Sequence, residues 1–165
     1  MRLGPILAAA ALATLLAGCN KSQPAASSGD QPAAAAAPAL SDADKLKLLA
    51  ALPAPYNTAD LANGEAKYAL CQSCHTLASG GANMTGPNLY GIFGTKAGEG
   101  HEGFKFSDPL KASGIVWTPE TMDPWITKPQ DMIPGSKMTF AGMKEAKDRA
   151  DLIAYLMVQS GYKPQ

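Results

Sequence analysis

The sequence predicts an all-α domain, a few helices joined by long loops. Three observations carry this. Ala146, Ala150, Ile153, Ala154 and Met157 recur with the period of one helix face, widened by Leu152, Tyr155 and Leu156. Ser41 and Thr118 stand where helix-capping residues belong, and Pro119 follows Thr118 at the first helical position. No stretch alternates apolar and polar residues as a half-buried strand does. The chain has 165 residues, enough for one modest domain. Its 14 Lys+Arg balance its 14 Asp+Glu, which argues against the basic footprint of a nucleic-acid-binding protein. The cysteines Cys19, Cys71 and Cys74 cannot build a disulfide framework. No apolar run reaches the ~18 residues of a membrane-spanning helix.

Residues 1–18 read as an address. Arg2 supplies one positive charge, and an apolar stretch follows from Ile6 to Leu16. The segment ends Leu16-Ala17-Gly18-Cys19, which resembles the lipobox of bacterial lipoproteins. That resemblance implies diacylglycerol on the Cys19 sulfur, cleavage before Cys19 and acylation of the new amine. The competing reading is an ordinary secretory signal with an incidental cysteine. Several acyl chains anchor a protein stably where one alone is marginal. Residues 19–40 then form the lipidated Cys19 and a flexible tether rich in alanine and proline. Asn20 to Ala39 has almost no bulky apolar side chain to bury. Fully extended, such a tether reaches about 60–70 Å.

The domain occupies residues 41–165. Ser41 caps a short helix with Asp44 in its first turn; Leu46, Leu48, Leu49 and Leu52 are its apolar residues, and Pro53 and Pro55 stop it. Thr58 is expected to cap a second helix with Leu61, Tyr68 and Cys71 on one broad face. From Leu77 to Val116 glycine and proline recur and no period persists. So long an irregular stretch makes sense in a chain that wraps something large. Thr118 opens a third helix, which Pro124 either kinks or delays to Asp123, and Pro129 closes it. The last helix runs from about Lys144 to Ser160, with Gly161 where a C-terminal glycine belongs.

The chemistry sits at Cys71-Gln72-Ser73-Cys74-His75. C-x-x-C-H is the attachment signature of c-type haem. Two thiols at this spacing reach the two vinyl groups of one haem as thioethers, and the following histidine is placed to ligate the iron. A redox dithiol would want a β-α-β context, which is absent. A zinc site would want more ligands than His101, the other histidine. A structural disulfide would leave His75 unexplained. One motif means one haem. Its second axial ligand is sought among the methionines. Met157 falls on the core face of the last helix, and Met84 is too near Cys74. Spacing and the stiff Pro134-Gly135 turn favour Met138, with Met122, Met132 and Met143 as alternatives. His101, in a glycine-rich charged stretch, is expected to be solvated.

From Asn63 to Gly161 the sequence resembles class I cytochrome c, in the branch near mitochondrial and alphaproteobacterial proteins. The resemblance rests on Gly64, Tyr68, the C-x-x-C-H, the run Thr85 to Gly94 and Phe104-Lys105-Phe106-Ser107. It continues through Trp117, Ile133 to Met138 and Arg149 to Leu156. It implies the class I cytochrome c fold: a few helices and long loops wrapped around one covalently bound haem. It puts the proximal ligand at His75, the distal ligand at Met138 and the carbonyl that receives the imidazole N–H at Pro87. Trp117 and Ser136 fall on donors to the haem propionates. Gly64, Tyr68, Leu152 and Tyr155 fall where the first and last family helices cross. Three positions depart from the pattern. A propionate-side arginine becomes Thr95, a propionate-donating tyrosine becomes Phe106, and the tyrosine beside the methionine sulfur becomes Trp125. Lys96, Lys105 and His101 are the candidates to replace the lost propionate partners.

Histidine plus methionine fills both axial positions, so the expected role is one-electron transfer rather than ligand chemistry. The expected setting is a respiratory chain on the periplasmic side of a bacterial membrane. There the carrier would run between a quinol-oxidising bc1-type complex and a terminal oxidase. Asn20 in place of an aspartate leaves sorting open, and function favours the inner over the outer membrane. Lys96, Lys128, Lys137, Lys144 and Lys147 are candidates to steer an acidic partner. From Ser41 onward 12 basic and 13 acidic side chains remain, so any positive face is a local patch. The alternative is a peroxidase-like enzyme or haem sensor in which the methionine is displaced.

Overall fold

The computed structural model describes residues 39–163. The expected signal, Cys19 and all of the tether but residues 39 and 40 lie outside them. The elements are α1 (Asp42–Ala50), a 3-10 turn (Tyr56–Thr58), α2 (Leu61–Tyr68), α3 (Asp108–Ala112), α4 (Pro119–Thr127), α5 (Pro129–Met132) and α6 (Ala146–Gln159). Among the described residues the only β pairing is an isolated antiparallel bridge between Lys96 and Val116. No described helix is long and apolar enough to cross a membrane.

Ser41 caps α1 as expected, its Oγ accepting the Asp44 N–H at 3.2 Å. The helix buries none of its own residues; Leu46 and Leu48 stay exposed, and Leu49 and Leu52 make the apolar contact. The expected cap of α2 is corrected. Thr58 lies in the 3-10 turn and donates its hydroxyl to the Pro55 carbonyl at 3.2 Å. Asp60 caps α2 instead, Oδ1 accepting the N–H groups of Ala62 and Asn63 at 3.0 Å each. One carboxylate satisfies two orphan donors and complements the positive end of the helix.

α2 crosses α6, and Gly64 is the point of closest approach. A Cβ there would overlap the Asp151 carbonyl and lie 2.7 Å from the Tyr155 Cβ. The glycine is therefore a spatial requirement and not a weak point in the helix. Tyr68 and Tyr155 pack with ring centroids 5.7 Å apart, and Leu152 is buried beside them in the core. The edge of this seam is polar. Asp151 is buried, yet it accepts the Asp60 N–H at 2.9 Å, Asn63 Nδ2 at 2.7 Å and Lys147 Nζ at 2.6 Å. Lys67 pairs with Asp148 at 2.7 Å. Gly161 (φ 75°) ends α6, and the Tyr162 N–H reaches back to the Met157 carbonyl at 3.2 Å.

α4 starts at Thr118 with reciprocal capping: Thr121 N–H donates to Thr118 Oγ1 at 3.2 Å and Thr118 N–H to Thr121 Oγ1 at 2.8 Å. Pro124 sits inside the helix and does not delay its start. Lys128, extended before Pro129, ends α4; Pro129 then opens α5, a turn too short to show a period in sequence. α6 begins two residues later than expected. The Arg149 guanidinium takes the carbonyls of Met143 (3.0 Å) and Lys144 (2.7 Å) and pairs with Asp123 of α4 at 2.7 Å. The irregular stretch 77–116 holds α3 and closes on itself through Ala97 N–H to Ile115 O (2.7 Å) and Trp117 N–H to Thr95 O (2.8 Å).

Candidate functional site

The C-x-x-C-H leaves α2 in continued helical turns. Cys71 N–H bonds the Tyr68 carbonyl at 2.7 Å, and Cys74 and His75 N–H groups bond the Cys71 carbonyl at 3.0 and 2.9 Å. Both thiols are free rather than joined to each other. Before haem attachment, burial and then the neighbouring Cys74 push the Cys71 thiol up to about 11. The Tyr68 hydroxyl donates to the His75 carbonyl at 3.0 Å and fixes the turn from below.

The His75 ring is held from two sides. Its Nδ1 lies 2.7 Å from the Pro87 carbonyl. A carbonyl can only accept, so Nδ1 carries the proton and Nε2 keeps its lone pair. Burial pulls the imidazole below its ordinary range, with the Pro87 bond opposing, and the neutral ring is the form that ligates a metal. Gly86 lies flat against the ring; a Cβ would stand 2.6 Å from Nε2 and closer still to the carbon beside it.

All seven expected domain positions, Cys71, Cys74, His75, Pro87, Trp117, Ser136 and Met138, line one cavity of about 260 Å³. Its walls are chiefly apolar. Leu152 and Leu156 come from α6, Trp125 and Ile126 from α4, and Phe104 and Phe106 from the irregular stretch. Of the four candidate methionines, Met138 and Met122 reach the cavity. Met143 is buried in the core and Met132 packs partly against it, both away from the lining. Met157 is core packing, as expected, and Met84 is exposed. The Met138 loop is clamped by Gln130, whose Nε2 lies 2.8 Å from the Ser136 carbonyl, 3.0 Å from Ser136 Oγ and 2.7 Å from the Met138 carbonyl.

The donor set fits a covalently attached haem. Paired thiols, a neutral imidazole with a free Nε2 and a thioether converge on an apolar cavity. Two buried polar atoms in its lining, His101 Nε2 and Ser107 Oγ, have no partner within the protein. The family profile of cytochrome c matches residues 61–160. The chain belongs to the cytochrome c family. It is 46% identical over 99 residues to a cytochrome c homolog of Bradyrhizobium diazoefficiens, a match covering 60% of this chain and 54% of that protein. The chain thus spans about half the length of that relative. It is 45% identical over 111 residues to cytochrome c2 of Blastochloris viridis, covering 67% of this chain and 87% of that one. Among solved structures, cytochrome cH from Methylobacterium extorquens superposes with a TM-score of 0.55 at 43% identity, over 59% of this chain and 96% of the other. The cytochrome holds one haem c, bound through Cys71 and Cys74.

His101 corrects the sequence reading. It is not simply solvated: it is half-buried, lines the cavity and packs 5.9 Å from the Phe106 ring. Phe106 itself meets Phe104 edge-on at 4.8 Å. Thr95 turns its hydroxyl to the Ile92 carbonyl at 2.7 Å. Trp125 is buried and packs 5.3 Å from Trp117. Sequence reading missed Gln130, whose role follows from a fold-back across six to eight residues that no local pattern announces. It missed Ser107, whose buried, unpartnered hydroxyl is in the cavity lining, since a serine before Asp-Pro reads first as a turn. Of the steering lysines, Lys128 pairs with Asp131 at 2.9 Å and Lys147 with Asp151 at 2.6 Å, while Lys137 Nζ donates to the Lys105 carbonyl at 2.9 Å. Lys96 and Lys144 are exposed.

Proposed function

We propose that this cytochrome is a lipid-anchored one-electron carrier, with His75 and Met138 as the axial ligands of its haem. The observation that carries the reading is the meeting of an imidazole with a free Nε2 and a thioether on a clamped loop in one apolar cavity. When bound, the haem supplies a one-electron couple, and its potential rises with methionine ligation. The chain's own residues do the rest. Pro87 and Gly86 hold the His75 ring, Gln130 holds the Met138 loop, and the aromatic walls exclude water. Cys19 would carry the lipid, and the segment to residue 40 would let the domain range over the periplasmic face of the inner membrane. Donor and acceptor would be a quinol-oxidising bc1-type complex and a terminal oxidase.

One experiment tests these parts together: fractionated membranes from cells making the wild type, Cys19→Ala, Met138→Ala or Met122→Ala. The oxidised wild type should show a methionine–iron charge-transfer band in inner-membrane fractions, and the reduced form should bind carbon monoxide poorly. Cys19→Ala should release an intact haem protein, and labelled fatty acid should enter only chains that keep Cys19. Met138→Ala should lose the band and bind carbon monoxide; Met122→Ala should keep it. Haem protein confined to the outer membrane would overturn the respiratory placement. Ready carbon monoxide binding and peroxidase activity in the wild type would overturn the closed carrier.

A further inference from the structure

Lys96, Lys105 and His101 are the candidates to meet a haem carboxylate, and the structure separates them. Lys96 and Lys105 are exposed and do not line the cavity. His101 does line it. Its Nε2 is buried away from solvent with no hydrogen-bond partner in the protein, and the ring is fixed against Phe106. A buried imidazole nitrogen left unpaired costs about 1–3 kcal/mol, so a native site that keeps one has a use for it. A second orphan, Ser107 Oγ, is buried in the same lining, so the unpaired nitrogen is not an isolated misfit. Both lie in the segment that supplies the aromatic wall Phe104 and Phe106. The other charged groups of the lining are Glu99 and Lys137, both exposed, and Lys137 is already committed to the Lys105 carbonyl.

The group that belongs in this cavity brings its own acceptors. A haem carries two carboxylates, and an unpaired carboxylate in an apolar cleft is costly. We propose that His101 Nε2 donates a hydrogen bond to a haem carboxylate, and that His101 thereby helps to set the reduction potential. His101 is a positioning residue here: it holds charge near the iron and ligates nothing. Burial pulls the imidazole below its ordinary range, with His75 adding to the effect. Nε2 can donate both from the imidazolium and from the neutral ring protonated at Nε2. A donor to the carboxylate draws negative charge from the ferric iron, so its loss favours the ferric state.

The test uses the mature holoprotein and three substitutions chosen for reach. His101→Leu removes the donor. His101→Gln places an amide N–H near the position of Nε2, and His101→Asn places one near Nδ1, short of it. His101→Leu and His101→Asn should each shift the one-electron equilibrium about three- to tenfold toward ferric, where tenfold is about 59 mV. His101→Gln should keep most of the wild-type potential. In wild-type holoprotein labelled with 15N-histidine, the Nε2–H of His101 should be directly observable and slow to exchange. The proposal fails if His101→Leu leaves the potential unchanged, or if His101→Gln shifts it as far as His101→Leu. A freely exchanging Nε2–H in the wild type also overturns it, and that measurement decides the matter if a variant fails to mature.

Discussion

The seam between α2 and α6 and the loop from Thr95 to Ser107 are ordered by different means. In the seam the chain satisfies itself. Asp151 is buried, and both its oxygens are taken by Asp60, Asn63 and Lys147. Tyr155 fills the space that Gly64 leaves. In the loop, Thr95 is satisfied locally, but His101 Nε2 and Ser107 Oγ are buried with nothing to bond. One region is finished by its own residues; the other leaves two buried polar atoms unpaired at the cavity that holds the haem. The stretch from Leu77 to Val116 buries Ile92, Ala97 and Leu110 in the core and leaves the rest of its inner face to the haem cavity.

Removing the haem should therefore break the two regions unequally, and this is the largest effect expected. Cys71→Ala/Cys74→Ala should abolish covalent haem. The stretch from Leu77 to Val116 should lose protection in hydrogen exchange before any other part. Because α2 and α6 lean on the same core, the domain should not reach its full native fold, but residual helix and protection should persist longest in α6. Haem staining of denatured protein reads the first outcome, and hydrogen exchange with circular dichroism reads the second. A haem-free double variant with a protected loop would end the comparison.

The seam breaks from within. Gly64→Val would press its side chain into the Asp151 carbonyl and the Tyr155 Cβ, against a backbone that cannot move aside. The expected cost is about 3 kcal/mol in denaturant unfolding of the holoprotein, with haem still attached. Haem attachment lost at ordinary expression temperature, with no folded fraction to measure, would show that the seam must form before the haem is bound.

How far each region could be read from sequence follows the same division. The seam was legible in two ways: the resemblance to class I cytochrome c placed Gly64, Tyr68 and Tyr155 at the crossing, and the residues themselves placed Gly161 at the end of α6. The C-x-x-C-H was legible because its chemistry is written in adjacent residues. The loop was not. His101 sits among glycines and charges, and only the turn that lays it against Phe106 buries it. Ser107 looks like a turn former until its hydroxyl is seen to be unused for capping. Gln130 acts across six to eight residues. The misplaced cap at Thr58 has a simpler cause. Thr58 and Asp60 are both good capping residues two positions apart, and the bond from the Asp60 N–H to Asp151, ninety-one residues away, fixes the choice.

Acid should sharpen the comparison next. Burial alone would raise the Asp151 carboxyl, but hydrogen bonds from Lys147, Asn63 and the Asp60 backbone outweigh it and hold it below the ordinary range. A carboxyl with a depressed folded pKa contributes stability that is fully present above its unfolded value, about 3.9. That contribution is lost as the pH falls through the folded value. Asp151→Asn removes the charge and turns one acceptor into a donor facing other donors. It should cost about 2 kcal/mol at neutral pH and less as the pH drops below about 4. The wild-type and variant stability curves, measured against pH by thermal unfolding, should converge on the acid side. Parallel curves would mean the seam does not depend on this carboxylate.

The smallest effect separates two serines. Ser107 Oγ and Ser160 Oγ are both buried without a partner, but only Ser107 lines the haem cavity. Ser160 lies at the end of α6; its carbonyl accepts the Gly91 N–H at 2.8 Å while its hydroxyl has nothing to do. An unpaired buried hydroxyl is a cost, so Ser160→Ala should be neutral or stabilising by up to about 1 kcal/mol. Ser107→Ala deletes the same atom, yet that atom lines the haem cavity, where a bound haem would bring acceptors within the protein's reach. Its loss should cost about 1 kcal/mol, near the lower end for a bond to a charged group. Thermal unfolding of the two holoprotein variants should therefore move in opposite directions from the wild type. Equal shifts would mean that Ser107, like Ser160, is merely unpaired, and that the orphaned atoms of the loop are not awaiting the haem.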